Sequence, residues 1–554
     1  MKLAIILLVT TALVAGSPAI SAAAPQPKLP VAQYATPDGP GLAVASFGPD
    51  GKVRSAAAGL ADVEVGAPFR TDTPIHAASV TKQFTGAAII LLVDQGRLSL
   101  DDDVRKYLPW MPDYGTKITI RHLLDHRSGL RSIDAIFALQ GLENSDPETR
   151  DRVMEAIKRQ RGLNTDPGGD FIYGNTGYFL LGEVVAAITG ESFSSWTRKN
   201  IFLPLGMKNT QILEDHAAIL PGRAVGYEPG PGGLQLAEAL HGFGGPSNLH
   251  TTADDLIIWC KALIERRGPA GALARRLAAV TPPVTGSVYA YGLEVSRSDG
   301  RLVWDHGGLS SGYSARVFIL PEERRAAATL SNGALDFFRT QTVTRAAGMG
   351  QSLPTFAAPA GPAIDPRAAQ SAEGLFRADT GVTLRVWREG SKLKTAIIGV
   401  PGEFEIVPSG DRFAVPALNA TMRMDRIDGE PARVLTSEMN GQIIRADRIE
   451  AAALTGDLTR FQGRYFSCDL QTMYVVDRRG ASLELSSARF SELPLTPTAE
   501  NTFLATLPMA ASVATLSFKL GADGKAAGLV VSTDRARNMP FSPAREGATV
   551  DCGS

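Results

Sequence analysis

The chain has 554 residues, a formal net charge of −1, 44% hydrophobic residues and 20% charged residues. This length exceeds what one hydrophobic core organises, so we expect a soluble globular protein of two to four domains. The near-zero charge gives no electrostatic basis for binding nucleic acid. The 7 histidines and 3 cysteines lack metal-ligand spacing, which predicts no metal site and no cofactor.

The first 24 residues have the features of a secretory signal peptide. Lys2 precedes an apolar stretch from Leu3 to Val14, and small residues occupy positions 21–24. The apolar stretch is too short to span a bilayer, and no later segment has the pattern of a membrane helix. We expect cleavage near residues 22–24 and a periplasmic or secreted mature protein without an integral membrane segment.

A predicted β-hairpin at residues 41–65 leads into the motif Ser79-Val80-Thr81-Lys82, which precedes an apolar helical run. Side chains three residues apart share one face of a helix. Serine needs a neighbouring base to become a good nucleophile. A partly buried lysine can be that base, because burial disfavours its charged form. In the ordinary alternative, Ser79 caps the helix and Lys82 is solvated.

The second motif is Tyr173-Gly174-Asn175, which opens a predicted helix ending near Gly190. A tyrosine here would shuttle a proton between nucleophile and leaving group if Lys82 lowered its pKa from about 10. Asn175 would hold Lys82 and a substrate carbonyl. Alternatively, Asn175 caps its helix and Tyr173 is a partly buried aromatic residue.

The third motif, His306-Gly307-Gly308, ends one predicted strand just before the next. Its glycines would let a substrate backbone lie against the strand edge. The N–H of Leu309 would pair with that of Ser79 to form an oxyanion hole. The alternative is an ordinary glycine turn with an exposed histidine.

Residues 308–312 also fit the pattern G-x-S-x-G. A nucleophile elbow of that type requires a strand, a sharp turn and a helix. Here the following residues, Tyr313 to Leu320, have the pattern of a strand. Ser310 is therefore predicted to be a turn residue and not a nucleophile.

Together the three motifs resemble the serine β-lactamase-like family, which includes class C β-lactamases, D,D-peptidases, esterases and D-aminopeptidases. The resemblance covers roughly residues 35–345, including residues 118–130 and Gly206-Met207. It implies an α+β domain in which helices pack on an antiparallel sheet, with the site between the sheet and a helical subdomain. The resemblance also implies residue roles. Ser79 matches the nucleophile and Lys82 its base, and Tyr173 and Asn175 match the Y-x-N element. His306, Gly307 and Gly308 lie where penicillin-binding relatives have Lys-Thr-Gly.

The rest of the chain predicts two further domains. A β-lactamase-like domain at residues 25–350 is followed by a proline- and alanine-rich linker at 351–370. Beyond it, alternating strands with regular turns predict small antiparallel β-barrels at 371–453 and 456–554. This order of domains is similar to that of bacterial D-aminopeptidases.

In the D-aminopeptidases that this chain resembles, a loop from the last barrel brings an acidic residue to the active site and selects substrates with a free amino end. The corresponding stretch here, residues 504–513, contains no Asp or Glu. Glu294, on a predicted strand from Tyr291 to Val295, would supply that carboxylate instead. The alternative is a solvent-facing glutamate on an alternating strand.

Histidine in place of lysine at position 306 also bears on the substrate. Because an unperturbed histidine is mostly neutral at pH 7, the site should hold a substrate carboxylate less well than a penicillin-recognising site does. We therefore expect uncharged or amine-bearing acyl substrates. In an oxidising compartment Cys468 and Cys552 could pair, but the sequence does not give the distance between them. Cys260 fits a buried helix position.

The leading hypothesis is a periplasmic serine hydrolase that forms an acyl-enzyme with small peptides or amides, as D-aminopeptidases do. A carboxylesterase on the same scaffold is the second hypothesis, and a catalytically silent binding or sensor protein is the third. The sequence leaves open the substrate's stereochemistry and the oligomeric state. It also leaves open whether Lys82 or Tyr173 takes the first proton.

Overall fold

The computed structural model describes residues 29–143, 145–230, 232–237, 240–283, 286–356, 365–378, 383–397, 403–409, 412–415, 420–425, 430–439, 442–449, 457–508, 513–545 and 552. Three predictions fall wholly or partly outside these residues. They are the signal peptide at 1–24, residues 357–364 of the linker at 351–370, and residues 509–512 of the loop at 504–513. Within the described part of the chain, no helix has both the length and the apolar character needed to cross a bilayer.

The helices lie mainly in the N-terminal domain. They are α1 (Lys82–Asp94), α2 (Ile120–Leu124), α3 (Ile133–Gln140), α4 (Arg150–Lys158), α5 (Asn175–Thr189), α6 (Phe193–Thr197), α7 (Leu203–Leu205), α8 (Ala253–Ile264), α9 (Gly268–Ala278), α10 (Phe337–Met349) and α11 (Pro366–Ala372). Short 3₁₀ turns occur at Val31–Tyr34, Ala78–Thr81, Val104–Lys106 and Leu458–Phe461, and a π-helical turn at Arg198–Phe202. Helix α5 ends at Gly190, whose φ of 74° suits a residue without a Cβ.

The strands of the N-terminal domain are β1 (Leu42–Phe47), β2 (Val53–Ala58), β3 (Leu60–Asp62), β4 (Ala67–Pro68), β5 (Ile75–His76), β6 (Glu148–Thr149), β7 (Gln211–Ile212), β8 (Tyr227–Gly230), β9 (Gly233–Leu236), β10 (His241–Gly242), β11 (Leu249–Thr251), β12 (Ser287–Ala290), β13 (Leu293–Ser298), β14 (Arg301–Ser310), β15 (Tyr313–Leu320) and β16 (Arg325–Ser331). The central antiparallel sheet has seven strands in the order β12-β13-β14-β15-β16-β1-β2.

Both faces of the central sheet are covered by helices, with α8 on one side and α10 on the other. Strand β1 shows why, because all six of its residues are buried. Ala43 and Phe47 join the larger core on the α8 side, whereas Leu42 and Val44 pack with Val343 of α10. A continuous apolar strand therefore lies in the middle of a three-layer domain, and the predicted arrangement of helices on an antiparallel sheet is confirmed.

Two closed antiparallel barrels follow. The middle barrel consists of β17 (Gly374–Ala378), β18 (Thr383–Glu389), β19 (Lys392–Ile397), β20 (Phe404–Ser409), β21 (Arg412–Val415), β22 (Ala420–Met424), β23 (Val434–Met439) and β24 (Gln442–Ile449). The C-terminal barrel consists of β25 (Gly463–Ser467), β26 (Thr472–Arg479), β27 (Ser482–Ser486), β28 (Leu493–Ala499), β29 (Thr502–Thr506), β30 (Val513–Leu520), β31 (Ala526–Ser532) and β32 (Met539–Pro543). The prediction of two small barrels is thus confirmed.

The C-terminal barrel packs against the helices of the N-terminal domain, and their apolar residues form one continuous core. At the contact, Tyr474 donates its hydroxyl to the Leu139 carbonyl at 2.7 Å. Arg131 and Asp469 form a buried ion pair at 2.8 Å, with side chains 3% and 1% exposed. This contact places loops of the barrel beside the helical subdomain.

The cysteines follow the prediction. Cys468, which directly follows β25, and Cys552 form a disulfide bond. Cys260 is a free, buried residue of α8. The bond links Cys552 to the segment that follows the first strand of the barrel.

One predicted strand begins later than expected. Tyr291 and Gly292 form the turn between β12 and β13, with φ angles of 53° and 92°, and the strand starts at Leu293. The turn packs closely on α1, because a Cβ on Gly292 would lie 2.3 Å from the Lys82 carbonyl oxygen. Glu294 is consequently near the start of β13 and not in the middle of a strand.

Candidate active site

Ser79 lies in the 3₁₀ turn that leads directly into α1. The preceding residue, Ala78, has a φ of 46°, a left-handed conformation that L-residues seldom adopt and that the surrounding structure must hold. The first residue of α1 is Lys82, whose Nζ lies 3.0 Å from Ser79 Oγ. The three-residue spacing therefore brings the hydroxyl and the amine into hydrogen-bond contact.

Lys82 is completely buried and has two further partners. Its Nζ lies 2.7 Å from Asn175 Oδ1 and 3.0 Å from the Pro246 carbonyl oxygen. Burial lowers the pKa of Lys82 to about 7, while the Asp134 carboxylate opposes this shift and the Arg535 guanidinium adds to it. Near neutral pH a substantial fraction of Lys82 is thus an uncharged amine that can accept a proton.

Asn175 is the first residue of α5, but it does not cap the helix, since Gly174 is the capping residue. Its Nδ2 donates to both carboxylate oxygens of Asp134, at 2.8 and 2.9 Å. Ser132 Oγ accepts from the Asn175 N–H and donates to Asp134, both at 3.1 Å. These contacts orient the Asn175 oxygen toward Lys82. Asp134 and Ser132 are site residues that sequence reasoning missed.

Tyr173 lies beside the nucleophile and hydrogen-bonds to Ser79. Its ring centroid is 4.8 Å from Lys82 Nζ and 5.4 Å from the guanidinium carbon of Arg535. Burial raises the pKa of Tyr173 above its usual value, although the hydrogen bond to Ser79 opposes the shift. The expectation that Lys82 would lower this pKa is wrong, because burial outweighs the neighbouring cations. Tyr173 is a neutral phenol at pH 7.

His306 is buried, with Nε2 at 2.9 Å from the Tyr289 hydroxyl and Nδ1 at 2.6 Å from the Gly307 carbonyl oxygen. Burial and then the positive charge of Lys82 lower its pKa to about 3. The imidazole is therefore neutral at pH 7, as the sequence analysis assumed. Tyr289 is a contact that sequence reasoning missed, because it comes from a different strand.

A further histidine joins this aromatic cluster. The ring centroid of His126 lies 4.4 Å from that of Tyr173, 4.5 Å from Tyr289 and 5.0 Å from Tyr178. The Gly174 N–H donates to His126 Nδ1 at 3.3 Å. Tyr173 is thus packed in a cluster of buried rings.

Strand β14 presents a free edge to the nucleophile. It pairs with β15 as far as Ser310, but its described pairing with β13 stops at Asp305. Gly308 permits a close approach, because a Cβ there would lie 2.3 Å from the Ala77 carbonyl oxygen. The oxyanion-hole role of Leu309 remains a prediction that this open edge accommodates.

β14 ends at Ser310 and a strand follows, so Ser310 does not occupy a nucleophile elbow.

A comparison with known families decides the assignment, since the model of the family described as Beta-lactamase matches residues 31–348. The chain belongs to the beta-lactamase family. It is accordingly a serine hydrolase, and the described arrangement around Ser79 is the candidate active site of this family member.

Relatives of this beta-lactamase family member include D-aminopeptidases. One from Cereibacter sphaeroides (strain ATCC 17029 / ATH 2.4.9) is 27% identical over 456 residues, covering 80% of this chain and 82% of the relative. Another from Gluconobacter oxydans (strain 621H) is 33% identical over 305 residues, covering 53% and 56%. The octameric penicillin-binding protein homologue from Pyrococcus abyssi shares the fold, with a TM-score of 0.53 and 22% identity over 81% of this chain and 95% of that one.

Glu294, the predicted carboxylate of the beta-lactamase-like site, lies on β13 opposite Tyr289 and Asp305. Burial, followed by the Asp305 charge, raises its pKa, and it hydrogen-bonds to Ser287. Its charge acts on Tyr173 from a distance. Its assignment as a substrate ligand stays a prediction.

The C-terminal barrel reaches this site through the loop between β31 and β32. Residues 533–538, between β31 and β32, carry Arg535 to the face of Tyr173. The predicted loop at 504–513 is described only up to residue 508 and from residue 513 onward. A cation, and not a carboxylate, is the described contribution of the barrel to the active site.

Proposed function

We propose that this protein is a periplasmic or secreted serine hydrolase that cleaves small peptides or amides through an acyl-enzyme, as D-aminopeptidases do. The observation that carries the proposal is the 3.0 Å contact between Ser79 Oγ and Lys82 Nζ. Because the pKa of Lys82 is lowered to about 7, this contact pairs a nucleophile with a base in its active form.

In acylation, neutral Lys82 takes the hydroxyl proton while Ser79 Oγ bonds to the substrate carbonyl carbon. The carbonyl oxygen becomes an oxyanion, which the N–H groups of Ser79 and Leu309 would stabilise. The carbon–nitrogen bond then breaks. Tyr173 donates its phenolic proton to the leaving amine and regains one from the Lys82 ammonium. The pKa directions support this order, with Lys82 and not Tyr173 as the first base.

Water completes the cycle. Lys82, neutral again once it has passed its proton to Tyr173, takes a proton from water as the oxygen attacks the acyl carbon. The ester bond to Ser79 breaks, the Lys82 ammonium returns its proton to the released Ser79 oxygen, and a carboxylic acid leaves. Asn175 holds Lys82 in place through both steps, because its own orientation is fixed by Asp134.

The substrate class rests on the D-aminopeptidase relatives and on His306. A neutral imidazole at this position does not supply the positive charge that would bind a substrate carboxylate. This favours small amine-bearing or uncharged acyl groups.

The proposed location rests on the signal-like residues 1–24 and on the bond between Cys468 and Cys552. Disulfides persist mainly in oxidising compartments such as the periplasm. Fractionation of cells that express the full chain, with mass determination of the mature N-terminus, tests this part. A cytoplasmic protein that retains residue 1 contradicts it.

The activity is tested with a fluorophosphonate probe and four substrates, namely D- and L-alanine p-nitroanilide, p-nitrophenyl butyrate and nitrocefin. We expect labelling of wild type and of Ser310→Ala, no labelling of Ser79→Ala, and the highest kcat/KM on D-alanine p-nitroanilide. A clear preference for the butyrate ester indicates a carboxylesterase instead. Failure of wild type to label, with no turnover of any substrate, supports a silent binding protein.

A further inference from the structure

The two ring nitrogens of His306 have different partners. Nδ1 lies 2.6 Å from the Gly307 carbonyl oxygen, and Nε2 lies 2.9 Å from the Tyr289 hydroxyl. A carbonyl oxygen only accepts hydrogen bonds, so Nδ1 must carry the proton. Because burial keeps the imidazole neutral at pH 7, Nε2 then has only a lone pair, and the Tyr289 hydroxyl donates to it. The contacts thus determine one tautomer of His306, with the proton on Nδ1.

Packing holds Tyr289 in the position that this hydrogen bond requires. Its side chain is buried, and its ring centroid lies 4.5 Å from that of His126 and 6.0 Å from that of Tyr173. Tyr289 belongs to β12, which β13 separates from β14 in the central sheet. The bond to His306 therefore connects two strands that are not neighbours, and it supplies a contact to β14 that the backbone ladder does not provide.

The Gly307 carbonyl is close in sequence to the predicted oxyanion-hole donor. It belongs to the peptide unit directly before the one that carries the Leu309 N–H. A Cβ on Gly307 would lie 2.7 Å from the Phe337 ring and 3.0 Å from Arg316 Nη1, so the backbone here is closely enclosed. The described pairing with β13 has already ended at this point. The His306 side chain thus supplies a hydrogen bond to this segment that β13 does not.

An oxyanion hole depends on the accurate placement of its donors. They stabilise the transition state when they lie about 2.7–3.1 Å from the developing oxyanion, and a displacement of ~1 Å can cost on the order of 100-fold in rate. A proton on Nε2 of His306 would leave a lone pair on Nδ1 facing the Gly307 carbonyl oxygen, and the two would repel each other. The change of tautomer would displace the segment that leads to the Leu309 N–H.

We propose that Tyr289 is a positioning residue of the active site, which fixes the His306 tautomer and thereby the Gly307 carbonyl and the Leu309 N–H. This inference rests on the proposed function, which assigns that N–H to the oxyanion. It also defines the role of His306. With its two nitrogens used by Tyr289 and Gly307, the imidazole supports the backbone and exchanges no proton with the substrate.

The tautomer is measured in the wild-type protein by NMR of ¹⁵N-labelled histidines, with the His306 signals identified by their absence from His306→Gln. We expect a protonated Nδ1 and an unprotonated Nε2 at pH 7. A proton on Nε2 overturns the inference, because Nδ1 could not then donate to Gly307. This measurement needs no turnover, and it stands even where a Tyr289 variant fails to fold.

The consequence for catalysis is measured with D-alanine p-nitroanilide and the matching thioanilide, in which sulfur replaces the carbonyl oxygen. Sulfur is the weaker hydrogen-bond acceptor, so the ratio of the two kcat/KM values reports how well the oxyanion hole binds the oxygen. We expect this ratio to fall roughly 10-fold in Tyr289→Phe, mainly through kcat on the anilide. A general loss of folded enzyme would lower both values equally and leave the ratio unchanged.

Tyr313→Phe is the matched control, since Tyr313 lies on β15 opposite Ser310 of β14 and donates its hydroxyl to the Ala224 carbonyl oxygen at 3.1 Å. It should leave the ratio unchanged. An unchanged ratio in Tyr289→Phe, or an equal fall in both variants, overturns the positioning role. Failure of the fluorophosphonate probe to label wild type overturns the proposed function, whereas the tautomer measurement is unaffected by that result.

Discussion

The two C-terminal barrels have the same eight-stranded architecture but different relations to the active site. The middle barrel has its own core, and it contacts the N-terminal domain where Phe404 meets Phe338 of α10, with ring centroids 5.9 Å apart. The C-terminal barrel shares a continuous core with the N-terminal domain. It also inserts residues 533–538 next to Tyr173.

This difference shows how a common fold acquires a role from the surface against which it packs. Arg131 pairs with Asp469 and donates to the carbonyl oxygens of Arg537 and Asn538, at 3.2 and 3.1 Å. The next residue, Ser132, orients the Asn175 backbone. The C-terminal barrel is therefore coupled to catalysis, whereas the middle barrel lies behind α10.

The largest expected effect follows from removing the buried Asp469 carboxylate of the C-terminal barrel. Asp469→Ala leaves Arg131 buried without its partner, which typically costs about 3–5 kcal/mol of unfolding free energy. We also expect slower labelling of Ser79 by a fluorophosphonate, because Arg131 adjoins Ser132. Urea denaturation and labelling kinetics measure the two effects.

Phe404→Ala in the middle barrel is the control for this prediction. Truncating a buried phenylalanine costs a similar amount, about 3–5 kcal/mol. Here the labelling rate of Ser79 should stay unchanged in conditions where the protein remains folded. If both variants slow labelling to the same degree, the two barrels do not differ in their coupling to the site.

The sequence predicted the features that local spacing determines. Ser79 and Lys82 are three residues apart at a helix start, so their contact follows from helix geometry. The two barrels follow from alternating strands with regular turns. Gly308 was predicted to let a substrate backbone lie against the strand edge. The close approach that the structure shows is to the chain itself, because a Cβ there would lie 2.3 Å from the Ala77 carbonyl oxygen.

Other parts of the site depend on contacts between distant segments and could not be predicted. Asp134 is 41 residues from Asn175 in sequence, and its role is visible only after α3 and α5 pack together. Arg535 comes from another domain. The pKa of Tyr173 was predicted in the wrong direction because burial, which a sequence does not show, outweighs nearby charge.

The second prediction concerns the covalent bond in the C-terminal barrel. Cys468 and Cys552 are separated by 84 positions in sequence. Cys552→Ser removes the cross-link and should cost about 2–4 kcal/mol, because the unfolded chain gains conformational freedom. Hydrogen exchange followed by mass spectrometry should show weaker protection in β25–β32 and unchanged protection in β17–β24. Equal loss in both barrels would mean that they unfold as one unit.

The smallest expected effect is a shift in the pH dependence of kcat/KM. It separates the effects of the N-terminal domain and the C-terminal barrel on the pKa of Lys82. With a pKa of about 7 for Lys82, kcat/KM should rise with pH through neutrality as the amine loses its proton. Asp134 raises this pKa from within the N-terminal domain, and Arg535 lowers it from the C-terminal barrel. Asp134→Asn should therefore move the midpoint of the rise to lower pH, and Arg535→Gln should move it to higher pH.

The measured quantity is kcat/KM at pH 6 divided by the same enzyme's kcat/KM at its high-pH plateau. This ratio should be roughly two- to threefold larger in Asp134→Asn than in wild type, as expected for the loss of one nearby charge. Asparagine keeps an oxygen that can accept from Asn175, so the hydrogen bond that orients Lys82 is retained. Arg535→Gln should show the opposite change when both variants are assayed on the same uncharged amide substrate. Shifts of the same sign in both variants would mean that Lys82 does not lie between opposing charges from the two domains.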